Sequence, residues 1–137
     1  MSDLSESHIS LIIPAEPEFI AVARLACAGI AHRLDLDLET ADDLKLVVTE
    51  ACGHLLTLST GASSLQVKWE FTDEQLCVTV QCCSGGAPLP TLGGNGSQWG
   101  EIGLFLIHSL MDEVTELHTP PGLRMVKYVQ EPDDDHE

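Results

Sequence analysis

Residues 64–83 read SLQVKWEFTDEQLCVTVQCC, and this stretch decides the fold. Leu65, Val67, Trp69 and Phe71 alternate with Gln66, Lys68 and Glu70, the period-2 pattern of a strand with one face in a core. "DE" (73–74) makes a tight turn, and QLCVTVQCC (75–83) is a second strand of the same kind. The whole stretch is therefore predicted to be a β-hairpin, which commits the chain to an antiparallel sheet.

The residues on either side supply the other elements. SHISLIIPA (7–15), bounded by Pro14, suits a first strand, and Pro17 can open a helix because its missing N–H is harmless in a first turn. In 18–34 the residues Phe19, Val22, Ala23, Ala26, Ile30 and Leu34 recur at helical spacing. Residues 35–43 read as a loop and helix start, where Thr40 and Asp43 resemble a capping box. A second helix over 43–58 carries the stripe Leu44, Val47, Val48, Ala51, Leu55 and Leu58. Beyond the hairpin, 84–100 is rich in Gly and Pro and fits no regular element, and loops of that length are binding loops, lids or connectors. An apolar helix is expected over 101–114, then a closing hairpin of VTELHT and LRMVKYVQ joined by PPG. The fold class is α+β: a two-layer α/β sandwich, a mostly antiparallel sheet of about five strands with helices on one face. Residues 1–130 are read as one domain and 131–137, EPDDDHE, as an acidic C-terminal tail.

Composition narrows the function. The chain has 137 residues, six Lys plus Arg against 22 Asp plus Glu, and a net charge of −16. Such a surface repels phosphate backbones and anionic lipid, so neither direct nucleic-acid binding nor membrane binding is expected, and a protein partner is. The five cysteines (27, 52, 77, 82 and 83) have no framework spacing, the N-terminus has no signal-peptide pattern, and no apolar run is long enough to span a bilayer; the expected location is cytoplasmic.

Glu50 and His54 are four apart in the second helix and so share a face. With Cys82 and Cys83 they supply ligand types that suit zinc, one reading of the pair. Neighbours in a strand point to opposite faces, which tells against Cys82 and Cys83 acting together.

The order of elements and four motifs resemble the anti-sigma regulatory factors with serine-kinase activity, a branch of the histidine-kinase-like ATPase superfamily. DDLKLVVTEACGHLL resembles the N-box helix, CVTVQCCSGG the strand and turn of the first glycine box, WGEIGLFLIHSLMDEV the second glycine box with its helix, and GLRMVKYV the closing strand; the likeness runs over about residues 8–130. It implies a protein that binds ATP and magnesium, phosphorylates a serine of an anti-anti-sigma partner, sequesters a sigma factor and often forms a homodimer. It also assigns positions. Glu50 takes the place of the general base and His54 that of the magnesium-ligating asparagine. Cys82, or Cys83 with a one-residue slip, takes that of the adenine-binding aspartate. Ser84 replaces the first glycine of its box and Gly86 matches the second. Gly100, Glu101, Gly103 and Leu104 lie in the second box, where backbone N–H groups at a helix start can dock phosphates. Magnesium prefers hard oxygen ligands, a thiol is a weak acceptor, and Glu101 sets a carboxylate near where a triphosphate would lie. Two expectations follow: a sigma- or anti-anti-sigma-binding switch whose ATP site is degenerate, or an active serine kinase using ATP and magnesium.

Overall fold

The computed structural model describes residues 7–58, 63–83, 97–118 and 120–129. Five strands form one antiparallel sheet in the order β1-β2-β3-β5-β4. They are β1 (Ser7–Pro14), β2 (Ser64–Phe71), β3 (Gln75–Cys83), β4 (Glu113–His118) and β5 (Pro121–Tyr128), accompanied by helices α1 (Ile20–Arg33), α2 (Leu38–Leu58) and α3 (Ser97–Leu110). This is the expected two-layer α+β arrangement, with β2 and β3 forming the hairpin read from 64–83.

The core lies between the layers. Leu65, Val67 and Trp69 of β2, Leu76, Val78, Val80 and Cys82 of β3, and Leu123 and Met125 of β5 point to the helices. Leu44, Val47, Val48, Ala51, Cys52 and Leu55 of α2 meet them. Alternation on the strands and a 3.6-residue stripe on α2 give two matching apolar surfaces, and each large side chain removed from water there contributes about 1.5–3 kcal/mol. The indole of Trp69 is fully enclosed, and its N–H interacts with the Cys27 sulfur in a contact short of a hydrogen bond of ordinary geometry.

Local chemistry sets the joints. The β2–β3 turn closes with Thr72 N–H donating to the Gln75 carbonyl (3.0 Å), while the Thr72 hydroxyl accepts from the N–H groups of Glu74 (3.1 Å) and Gln75 (3.2 Å). Helix α1 ends in a Schellman motif: Leu36 N–H donates to the Ala31 carbonyl and Asp35 N–H to the His32 carbonyl, with Asp35 at φ 61° where glycine is usual. Lys127 reaches from β5 to the last turn of α3 and donates to the Leu110 carbonyl (2.9 Å), a basic cap on the negative helix end. At Gly122 an added Cβ would sit 2.6 Å from the Val80 carbonyl oxygen, so β5 enters the sheet through a gap only glycine fits.

Some expectations are corrected. Helix α2 begins at Leu38, so Thr40 and Asp43 lie inside it and form no capping box. Helix α3 begins at Ser97, within the stretch expected to be irregular, and stops at Leu110 rather than at 114. Asp112 and Glu113 interrupt its apolar run, and sheet pairing has taken over by Val114, which lies opposite Met125. Pro17 opens a short 3-10 turn (Pro17–Phe19) before α1. Val22, placed on the buried stripe of that helix by spacing, is 43% exposed, and Cys27 is buried instead. The tail 131–137 and most of the glycine-rich stretch, 84–96, lie outside the described residues.

Candidate functional site

Helix α2 lies between α1 and α3 and crosses the sheet above β3 and β5. Its stripe Leu44–Val48–Ala51–Leu55 faces the core, which leaves Glu50 and His54, one turn apart, half-buried beside α3 and the β4 edge. The i, i+4 spacing put both on one face, and the packing of α2 sets where that face looks.

Glu50 meets α3 at Gly103. A Cβ built on Gly103 would stand 2.8 Å from Glu50 Oε1, and Glu50 Cβ and Cδ lie at 3.7 and 3.8 Å from that point. The missing side chain therefore seats the carboxylate against the helix. Because α3 starts at Ser97, Gly100 sits within its first turn. Gly103 lies further in, where backbone N–H groups are used by the helix itself, so its part here is space for Glu50 rather than a free donor.

His54 is a half-buried imidazole whose Nδ1 is enclosed with no hydrogen-bond partner. Burial lowers its pKa below the ordinary 6.5, with the Glu116 carboxylate of β4 acting in the opposite direction. The ring is therefore neutral near pH 7. Nothing in the local sequence pointed to Glu116. The register explains its presence: Val114, Glu116 and His118 fall on the helix side of β4, since Glu116 is opposite Leu123.

Cys82 is 4% exposed, faces the helices opposite Leu65, and belongs to the core, while Cys83 points to the other side and is half-buried. The four-residue zinc set of Glu50, His54, Cys82 and Cys83 is thus not assembled, and among the described residues no three His, Cys, Asp or Glu side chains converge on a metal position. Leu104 is half-buried and packs on the core from α3. Ser84 and Gly86 lie outside the described residues, as does the side chain of Glu101. The structure therefore brings together Glu50, His54 and Gly103, sets Cys82 in the adjoining core, and adds Glu116. Chemically, this is one carboxylate able to accept a proton or hydrogen bond, beside a neutral imidazole.

No helix among the described residues is long and apolar enough to cross a membrane. The sequence profile of the histidine kinase-like ATPase domain matches residues 13–128. A serine-protein kinase RsbW of Bacillus velezensis is 27% identical over 147 residues, spanning 96% of this chain and 92% of its own. The RsbW of Listeria innocua is 30% identical over 139 residues, with 90% and 88% covered. That of Halalkalibacterium halodurans is 31% identical over 141 residues, with 89% and 83% covered.

Proposed function

The chain belongs to the histidine kinase-like ATPase family, in its anti-sigma regulatory factor and serine-protein kinase branch, and on that premise we propose that it is a regulatory switch that binds a sigma factor or an anti-anti-sigma protein while its ATP site is degenerate. It works in the cytoplasm, as a homodimer, through one domain over residues 1–130.

The observation that carries this reading is the environment of His54. In the family's scheme that position offers magnesium an amide oxygen. Here it offers a neutral imidazole with Nδ1 enclosed, whereas magnesium demands hard oxygen ligands in near-octahedral geometry. The other positions support it. Cys82, where a carboxylate would read the adenine amino group, is a weakly accepting thiol within the core. From Trp69 to Leu123 the sequence has no Lys or Arg, so no basic side chain from this span meets a triphosphate, while Glu50 and Glu116 bring negative charge to it and the second glycine box itself contains an acid, Glu101. These residues do not fit magnesium-ATP as the family holds it. Each lost charge-assisted hydrogen bond weakens binding by about 1.5–3 kcal/mol, so two or three suffice to abolish useful affinity.

A second reading, an active serine kinase, is favoured by one feature: Glu50 stands at the general-base position with its carboxylate seated at Gly103, and the relatives carry the name serine-protein kinase. Calorimetric titration with ATP and magnesium separates the two. The switch reading expects a flat titration with sigma or anti-anti-sigma binding retained. Micromolar nucleotide binding, together with labelled phosphate on a partner serine, would overturn it in favour of the kinase. Combining His54→Asn with Glu101→Gly should raise nucleotide affinity; if it does not, the site is elsewhere.

A further inference from the structure

The helices cover one face of the sheet, and the register sets the alternate side chains in rows across the other. One row runs Ser10, Lys68, Thr79, Arg124, Thr115, with one residue from each strand in the order β1-β2-β3-β5-β4. It holds two of the chain's six Lys and Arg side chains and no acid, in a chain of net charge −16. The row on one side of it, Ile12, Gln66, Gln81, Gly122, Leu117, is uncharged. On the other side Glu70 and Glu113 appear, separated by Cys77 and Val126. Cations elsewhere are already engaged: Lys45 pairs with Asp42 at 3.4 Å, and Lys127 caps α3 at 2.9 Å. The side chain of Lys68 is 40% exposed and reaches Glu70 at 3.9 Å, a loose pair. Arg124 is exposed, and among the described residues no carboxylate stands in ion-pair contact with it.

We propose that this row is a docking surface for an extended acidic segment of a protein partner. Its carboxylates meet Lys68 and Arg124, and the hydroxyls of Thr79, between the two cations, and of Ser10 and Thr115, at the ends, donate to it. The spacing suits such a segment. Neighbouring strands lie about 4.8 Å apart, so the two cations, two strands apart, stem from points about 10 Å from each other. An extended chain advances about 3.3 Å per residue, so acids three residues apart match that separation. A single exposed ion pair is weak, and the row works as two cations with hydroxyl donors beside them; the Arg124 guanidinium can also take a carboxylate through two N–H groups. The charge of −16 restricts docking rather than forbidding it. Distant charges are largely screened beyond about 8 Å at physiological ionic strength, while a segment on the row is in contact with both cations. The acidic surface elsewhere turns the same segment away, so charge fixes where it can settle. This surface lies on the face of the sheet opposite α2 with its Glu50 and His54, so it goes beyond the switch reading and stands whether or not ATP binds.

The test uses the full chain and a dye-labelled peptide of ten residues in which Glu and Ser alternate. Fluorescence anisotropy at low salt reads the affinity, and amide NMR shifts of the unaltered chain read the place. Saturable binding is expected, with the largest shifts at Lys68, Thr79 and Arg124, and with affinity falling as salt rises. Lys68→Gln with Arg124→Gln should weaken binding at least tenfold. Arg33→Gln with Lys45→Gln, which changes the net charge equally but lies on the helices, should weaken it less than threefold. Absence of binding overturns the proposal, as do shifts centred elsewhere or equal losses in the two double variants. Displacement of the peptide by sulfate at the same concentration of charge also overturns it, because the row would then take any small anion. The chain's own acidic stretch is tested separately: if Asp133→Asn, Asp134→Asn and Asp135→Asn together move the Lys68, Thr79 and Arg124 amides with no peptide present, that stretch is the occupant and the proposal falls. If the row variant fails to fold, the shifts of the unaltered chain still decide.

Discussion

Gly103→Ala tests whether the Glu50 carboxylate is seated by the absence of a side chain on α3. Two effects oppose each other. Replacing glycine inside a helix favours folding by about 1 kcal/mol, because glycine loses more backbone freedom and alanine does not. Against this, the new Cβ would stand 2.8 Å from Glu50 Oε1, too close for a real contact. The obstacle is the tip of a flexible side chain, so Glu50 can rotate away at a cost of about 0.5–1.5 kcal/mol for a poorer rotamer. The net change in stability should lie within about 1 kcal/mol of zero. Removing the obstacle should uncover the helix gain: in a Glu50→Ala background, Gly103→Ala should stabilise by about 1 kcal/mol, roughly 4 °C in Tm. The four proteins form a double-mutant cycle, measured by urea denaturation, with an expected coupling of about 1 kcal/mol. Zero coupling would refute the contact. A loss above about 2 kcal/mol from Gly103→Ala alone would mean that what stands in the way is rigid.

Two further outcomes are expected. Gly122→Ala places a Cβ 2.6 Å from the Val80 carbonyl oxygen, a backbone atom that cannot swing aside, so it should destabilise by about 1–3 kcal/mol or more; an unchanged urea midpoint would contradict the β3–β5 approach. Burial depresses the His54 pKa below 6.5, so the unfolded chain takes up that proton more readily than the folded one. Its contribution to stability is therefore present above about pH 6.5 and is lost as pH falls through the lower folded value. Thermal melts should show this decline below pH 6.5, and His54→Asn should flatten it. An unaltered profile in the variant would assign the decline to other groups.

Much of the fold was legible because its pattern is local. The alternation of Leu65, Val67 and Trp69 required a strand, and Leu44 through Leu55 required a helix with one buried stripe. The run 101–114 misled at its end, where Asp112 and Glu113 interrupt the apolar stretch. The pairing of Val114 with Met125 settled where the strand began. Val22 misled for another reason: periodicity says that a residue lies on a face, and α1 is apolar on more than one.

The candidate site divides the same way. By itself the sequence determined the strand and helix order, the two layers, and the common face of Glu50 and His54, since all follow from repeats of 2 or 3.6 residues along one segment. The tertiary structure decided which neighbours those side chains meet. It brought Gly103 to the Glu50 carboxylate, aligned Glu116 with His54 through the β4–β5 register, sent Cys82 into the core and Cys83 away from it, and set Lys68 and Arg124 in one row across the sheet. Contacts between segments far apart in the chain depend on strand order, register and helix approach, and no single segment carries that information.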